Sequence, residues 1–427
     1  MVKGEKIMEK WIEKFPQDLQ QKVAEVDQMI APQLAAVDET VLYNQQRILD
    51  LYRKHHVAEE DLVGSTGYGY DDLGRDKLED IFADYFKCDD ALVRPQMVSG
   101  THAISTALFA SLMPGDTLYY MTGMPYDTIQ QVIGIVGNNP GSMKEYGIKF
   151  AYTPLKDGKI DYDAVGEKLN QDKSIKVVAI QRSRGYATRD SFTVAEIKKM
   201  IEFVKQIAPE AIIFIDNCYG EFTEKVEPTF YGADLMAGSM YKNAGAGVAK
   251  SGAFLVGRHD LIMRASSRLF APGPGKGEGA TYGYQRDFYR GFFLAPHTTG
   301  EAVKGAIFTA ALLEKMGAEV SPKWDAPRTD LVQTVIFHER EAMIKFCASI
   351  QHNSPLNAFV DPIPSEMDNY EDEIIMASGS FVEGSTIELS SDGPLREPYA
   401  LYIQGGLSYA HVKVAITNAV NETYYKA

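Results

Sequence analysis

Four short runs in this 427-residue sequence set reactive or polar side chains among small residues that let a ligand come close. Ser239-Met240-Tyr241-Lys242 leads into Asn243-Ala244-Gly245-Ala246-Gly247. A lysine beside a glycine-rich turn lies close to backbone, where desolvation lowers its pKa toward the neutral amine that forms a Schiff base. An exposed lysine is the ordinary alternative. Asp216-Asn217-Cys218-Tyr219 precedes it, Lys242 lying 26 residues beyond Asp216. A carboxylate after an apolar strand is desolvated unless it meets a cation, such as a protonated pyridine nitrogen; the other reading is a helix cap. Ser99-Gly100-Thr101-His102-Ala103 opens a helix, and small residues there let backbone N–H groups and the helix dipole attract a phosphate. Ser99 can equally be a plain N-cap. Pro125-Tyr126-Asp127-Thr128 supplies a ring that either packs in a core or covers a flat ligand.

These runs need a scaffold. Short apolar segments at 116–121, 176–180, 211–215 and 252–256 alternate with helical patterns at 101–112, 126–137, 194–206 and 259–269. Strands separated by helices mean right-handed crossovers and a mostly parallel sheet, with ligands at the carboxyl ends of its strands. Residues 1–65 read as a helical N-terminal arm, 66–299 as a large α/β domain, and 300–427 as a smaller α+β domain. The last opens with a helix near 300–317, carries strands at 374–376 and 400–403, and closes with a helix near 408–421. Two glycine-rich stretches break the pattern. Gly64–Gly74 holds Tyr68 and Tyr70, and Gly273-Pro274-Gly275-Lys276-Gly277-Glu278-Gly279 lacks the strand, spacing and Ser or Thr of a nucleotide loop, so it reads as a mobile flap over the site.

Asp and Glu outnumber Lys and Arg by 58 to 43, a net charge of −15, which disfavours nucleic acid and anionic membrane surfaces as partners. The three cysteines are scattered and the eight histidines form no metal-spaced array, so a reducing cytoplasm and no metal are expected. His102 and His297 read as packing residues or residues supporting the site. The N-terminus lacks an apolar leader, and no apolar run reaches membrane-spanning length.

Taken in order, phosphate-type turn, aromatic, strand-end Asp and Ser-x-x-Lys resemble fold-type I pyridoxal phosphate enzymes. The resemblance is greatest to the cystathionine/methionine γ-lyase group, in its aluminium-resistance, cystathionine β-lyase-like branch. It extends from Gly67-Tyr68-Gly69-Tyr70-Asp71-Asp72-Leu73-Gly74-Arg75 to Tyr402-Ile403-Gln404-Gly405-Gly406-Leu407. It implies an aspartate aminotransferase-like fold with a mostly parallel seven-stranded sheet and a smaller C-terminal domain. Lys242 is then the Schiff-base lysine and Asp216 the partner of the pyridinium nitrogen. Ser99, Gly100, Thr101 and Ser239 lie at the phosphate, Tyr126 stacks on the ring, Cys218 lies against its other face, and Tyr219 is near its phenolic oxygen. The group's Tyr-x-Arg pair, which reaches the phosphate from a neighbouring subunit, corresponds here to Tyr68-Gly69-Tyr70, without the arginine. Arg396 is the candidate for the substrate carboxylate. The resemblance further implies a homodimer or homotetramer with shared sites, and carbon–sulfur elimination from an amino acid, yielding thiol, ammonia and a 2-oxo acid. Tyr126 would move a proton at the leaving group only if its pKa fell toward neutrality. Aminotransfer, another elimination, or a non-catalytic pyridoxal phosphate-binding regulator are the alternatives.

Overall fold

Apolar residues at helical spacing from Leu19 to Ile48 build one 38-residue helix, α1 (Gln17–Lys54), with Pro32 inside it. The computed structural model describes residues 10–137, 139–187, 189–366 and 372–426. After α1 come α2 (Leu73–Phe86), β1 (Asp90–Arg94), α3 (Gly100–Ser111), β2 (Thr117–Tyr120), α4 (Asp127–Ile133), β3 (Lys149–Tyr152), α5 (Tyr162–Gln171) and β4 (Ile175–Gln181). There follow α6 (Val194–Ile207), β5 (Ile212–Asp216), β6 (Leu235–Ser239), β7 (Ala253–Gly257), α7 (His259–Leu269) and α8 (Gln285–Lys315). The chain closes with β8 (Glu319–Ser321), β9 (Val332–Ile336), α9 (Arg340–His352), β10 (Ile374–Ser378), β11 (Ser390–Pro394), β12 (Ala400–Gln404) and α10 (Tyr409–Tyr424).

The first sheet has seven strands in the order β1-β7-β6-β5-β4-β2-β3, and only β7 runs against its neighbours. Its central strands β4, β5 and β6 are buried almost throughout, as strands covered by helices on both faces must be. One face packs Ile180, Ile213 and Met236 against α2 and α6; the other packs Val177, Phe214 and Leu235 against α3 and α7. A second, fully antiparallel sheet, β10-β11-β12-β9-β8, packs with α9 and α10 around its own core.

Two long helices join these cores. α8 places Phe288 and Phe292 in the first and Phe308 and Leu312 in the second, so it begins 15 residues before the helix start read at residue 300. α1 does the same, with Ile48 in the first core and Leu19, Val23, Val26 and Ile30 in the second. The segment read as an arm is therefore part of both hydrophobic cores from Phe15 onward.

The two glycine-rich stretches lie against each other. Gly279 N–H donates to Tyr68 O (2.8 Å) and Tyr282 N–H to Ser65 O (3.0 Å). At Gly69 (φ +69°) a Cβ would lie 2.6 Å from Ala280 N and Cα, so only glycine fits this approach. Beneath them, buried Arg75 donates to the carbonyls of Gly69 (2.5 Å), Gly279 (3.2 Å) and Gly277 (3.4 Å). Buried Arg94 donates to those of Glu278 (2.6 Å) and Lys276 (2.8 Å), and Glu79 accepts from Arg94 Nε at 2.6 Å. The expectation of a mobile flap over the site is corrected here: Gly273–Gly279 is tied down by two guanidinium groups and does not line the cleft described next.

Candidate active site

Strands β2, β4, β5 and β6 end side by side, and the polar residues that follow each of them meet in one cleft of about 250 Å³. Gly100, Thr101, Tyr126, Asp216, Cys218, Tyr219 and Lys242 all line it. Asp216 is the last residue of β5, and its Oδ1 accepts from Cys218 N–H at 3.2 Å. Burial is the largest influence on its carboxyl and pushes the pKa up, against the Cys218 N–H and the charge of Lys242. Lys242 follows β6, with Nζ 4.1 Å from the centroid of the Tyr219 ring. Burial disfavours its ammonium, yet Tyr219, Cys218, Tyr241 and Tyr126 outweigh that and hold its pKa well above the ordinary value, which corrects the lowering expected from the sequence. Tyr219 is in the left-handed region (φ +74°), costly for a bulky side chain and the conformation in which its ring lies against the lysine.

Ser99 caps α3, its Oγ accepting from His102 N–H at 3.0 Å, and it does not line the cleft. The first helical residue, Gly100, faces inward: a Cβ there would lie 3.2 Å from Cys218 Sγ and 3.7 Å from Ser239 Cβ. Ser239 Oγ is sealed from solvent and has no hydrogen-bond partner. An unsatisfied buried hydroxyl beside a helix N-terminus suits an acceptor supplied by a ligand, and a phosphate is the group that helix ends favour.

Tyr126 is held by its own backbone N–H donating to Gln181 Oε1 (3.0 Å), and its hydroxyl lies 3.3 Å from Thr101 Oγ1. Burial pushes its phenol well above the ordinary value, and Asp216 and Cys218 add to this; Thr101 and Lys242 oppose. That is opposite to the fall toward neutrality that proton transfer by Tyr126 requires. Burial likewise pushes the Cys218 thiol well up, which makes it a neutral surface instead of a nucleophile.

Three expected residues stand elsewhere. Tyr68 and Tyr70 are 68% and 55% exposed, their rings stacked on each other at 5.4 Å, and neither lines the cleft of its own chain. Arg396, expected at the substrate carboxylate, is exposed, pairs with Asp372 at 2.9 Å and stays outside the cleft; the turn after β11 carries it away from the strand ends. His102 is half-buried, and desolvation lowers its pKa, whereas His297 lies exposed on α8. Conversely, Gln181, Ser183, Tyr186, Asp392, Tyr402 and Gln404 line the cleft and were not among the site residues expected from the sequence. Gln181 ends β4, so the strand-end rule that found Asp216 would have found it too.

A mostly parallel seven-stranded sheet, a strand-end carboxylate, a lysine after the next strand and a phosphate-type helix end define the class: a fold-type I pyridoxal phosphate-dependent enzyme architecture. Within that class, the chain matches the methionine gamma-lyase family over residues 19–424 and belongs to it. YnbB of Bacillus subtilis (strain 168), an uncharacterized protein, is 52% identical over 410 residues, 96% of this chain and 97% of its own. A solved structure from Listeria innocua, provisionally named a cystathionine beta-lyase involved in aluminum resistance, is 49% identical with a TM-score of 0.93, over 96% of this chain and 100% of that one. Another, named a carbon-sulfur lyase involved in aluminum resistance from Clostridium novyi NT, is 42% identical with a TM-score of 0.91, over 96% of each chain.

Proposed function

We propose that this protein is a pyridoxal 5′-phosphate-dependent carbon–sulfur lyase, cytoplasmic and acting on a sulfur-containing amino acid by β- or γ-elimination. The observation that carries the reading is the meeting of Lys242, Asp216 and Gly100 in one cleft, with the partnerless Ser239 hydroxyl, outside the lining itself, packed beside Gly100. The residues present fit the cofactor. The backbone N–H groups of Gly100 and Thr101 and the Ser239 hydroxyl would hold its phosphate. The buried carboxyl of Asp216, whose pKa burial pushes up, would gain a further compensating charge from a protonated ring nitrogen. Tyr126 and Cys218 would bound its two faces, and Lys242 would hold its aldehyde carbon. When bound, the cofactor supplies an electron sink for charge developing at the substrate Cα.

The chain's own groups then have separate tasks. With the cofactor bound, Lys242 Nζ would take the substrate Cα proton, and the Tyr219 ring against it would keep the amine directed into the cleft. Asp216 would keep the ring nitrogen protonated and so support that electron sink. Asp392 of β11 and Tyr402 and Gln404 of β12 wall the cleft on the side of the second sheet. The shared-site homodimer or homotetramer belongs to the same proposal, supported by the outward display of Tyr68 and Tyr70.

The test combines two measurements on the cofactor-loaded protein. Borohydride reduction should fix the cofactor on Lys242, and cystathionine, methionine and cysteine should be screened for release of thiol, ammonia and 2-oxo acid. Label on Lys250, which is exposed and faces Asp287, would remove the assignment of the lysine. A correctly labelled protein that releases amino-group product without thiol would be an aminotransferase.

A further inference from the structure

Most residues lining the cleft come from the large sheet, but one titratable wall comes from the second sheet. On β11, Asp392 lies opposite Tyr402 of β12 in the strand register and borders the cleft. Lys242 is the only cationic side chain among the described residues that line this cleft, so Asp392 faces no arginine there. Its Oδ1 is sealed from solvent and accepts no hydrogen bond, while the carboxyl group has a hydrogen bond with Tyr186 and its Oδ2 accepts a long one from Gln404 Nε2 (3.4 Å). A carboxylate with one oxygen bare in a buried site is costly, which favours the protonated form.

Resting on the lyase reading above, we propose that Asp392 is the catalytic acid that protonates the sulfur as the carbon–sulfur bond breaks.

The surroundings agree with an acid. Burial is the largest influence on the Asp392 carboxyl and raises its pKa to about 7, with the Tyr186 hydrogen bond and Lys242 acting downward. Tyr219 and Cys347 are the other titratable groups whose own pKa it perturbs from neighbouring elements, along with Tyr402. All three are neutral near pH 7, because burial pushes each of them up. An acid with a pKa near the working pH is the most effective, and a departing thiolate, whose parent thiol has a pKa of about 8.5, is basic enough to take its proton. Tyr126, by contrast, is held far from neutrality by the same kind of burial.

In a β-elimination the steps balance. Lys242 takes the Cα proton, the pair from that C–H bond becomes the new carbon–carbon double bond, and the C–S pair leaves on sulfur. The Asp392 proton converts the thiolate to thiol. Lys242 has gained one proton and Asp392 has lost one, and as the thiol leaves, water relays the proton from Lys242 to Asp392, which returns both groups to their starting states. Because the charge of Lys242 acts downward on Asp392, arrival of the first proton eases departure of the second.

Asp392→Asn removes the proton and keeps the shape. With a thiol leaving group, as in cystathionine, turnover should fall about 100-fold or more, the usual cost of a lost proton donor. With 3-chloroalanine, whose chloride leaves without a proton, the loss should shrink to within about fivefold. Asp392→Glu, which keeps an acid, should recover part of the thiol release. A second readout uses the cofactor-free proteins: the infrared difference between parent and Asp392→Asn should show a carboxylic-acid carbonyl band near neutral pH that vanishes as pH rises. Equal losses with both leaving groups, equal impairment of the Asn and Glu variants, or no such band overturns the assignment. A parent protein that eliminates neither chloride nor thiol overturns the lyase reading itself, and this inference with it.

Discussion

Gly100→Ala tests the phosphate end of the cleft with a single methyl group. Position 100 is the first residue of α3, has no positive φ, and accepts a side chain without backbone strain. Alanine in place of glycine in a helix is worth up to about 1 kcal/mol to the fold, less at a first turn. The new Cβ would lie 3.2 Å from Cys218 Sγ, a crowding relieved by a few tenths of an ångström of movement, so the cofactor-free protein should melt within a few degrees of the parent. The same methyl projects toward Ser239 Cβ at 3.7 Å, into the space a phosphate needs if it is to meet both the helix N–H groups and the serine hydroxyl. Losing one hydrogen bond to a charged group costs about 1.5 to 3 kcal/mol, which is roughly a 10- to 150-fold weaker affinity. Titration of cofactor-free protein with pyridoxal 5′-phosphate, followed by its visible absorbance, reads this directly. Affinity within about threefold of the parent, with an unchanged melt, would falsify the claim that Gly100 and Ser239 hold the phosphate.

Asp216→Asn should retain the cofactor and lose most turnover, because a neutral amide cannot hold the pyridinium charge; near-normal 2-oxo acid release would make Asp216 structural. Glu79→Gln should destabilise the fold by about 3 to 5 kcal/mol, since it leaves Arg94, fully buried beside it, without its carboxylate; a chemical denaturation midpoint equal to the parent's would refute that. Sedimentation should give a dimer or a tetramer, and mixing Lys242→Ala subunits with Tyr68→Ala/Tyr70→Ala subunits should restore activity, because one site of each hybrid is complete. A fully active monomer excludes shared sites.

The sequence exposed those parts of the fold where pattern and packing coincide. β4 and β5 are apolar on both faces, so Val177 to Ile180 and Ile212 to Ile215 stand out against their surroundings. β1, β3 and β6 do not. β6 reads Leu-Met-Ala-Gly-Ser because the site lies at its end: at Gly238 a Cβ would collide with Phe254 and Glu221, and Ser239 faces the cradle. The start of α8 was hidden by Gly291 and Pro296, residues that break a local pattern and are tolerated where the helix packs on both sides. The residues following the strands of the large sheet were legible because a parallel sheet collects them at one edge. Those of β11 and β12 were not: Ser390-Ser391-Asp392-Gly393-Pro394 has the composition of a turn, and only its pairing with β10 and β12 makes it a strand and sets Asp392 at the cleft.

Arg75 and Arg94 bind the glycine-rich stretches through main-chain carbonyls alone, five of them in all. Such a grip is blind to the side chains the stretch carries. Side chains such as Ser65, Asp72 and Lys276 add their own ties, but this part of the route owes nothing to Tyr68 and Tyr70, which can be exchanged as fittings on an unaltered rail. If those tyrosines enter a neighbour's cleft, substrate preference can diversify at this rim by point substitution while the track beneath, and with it the stability of the subunit, stays as it is.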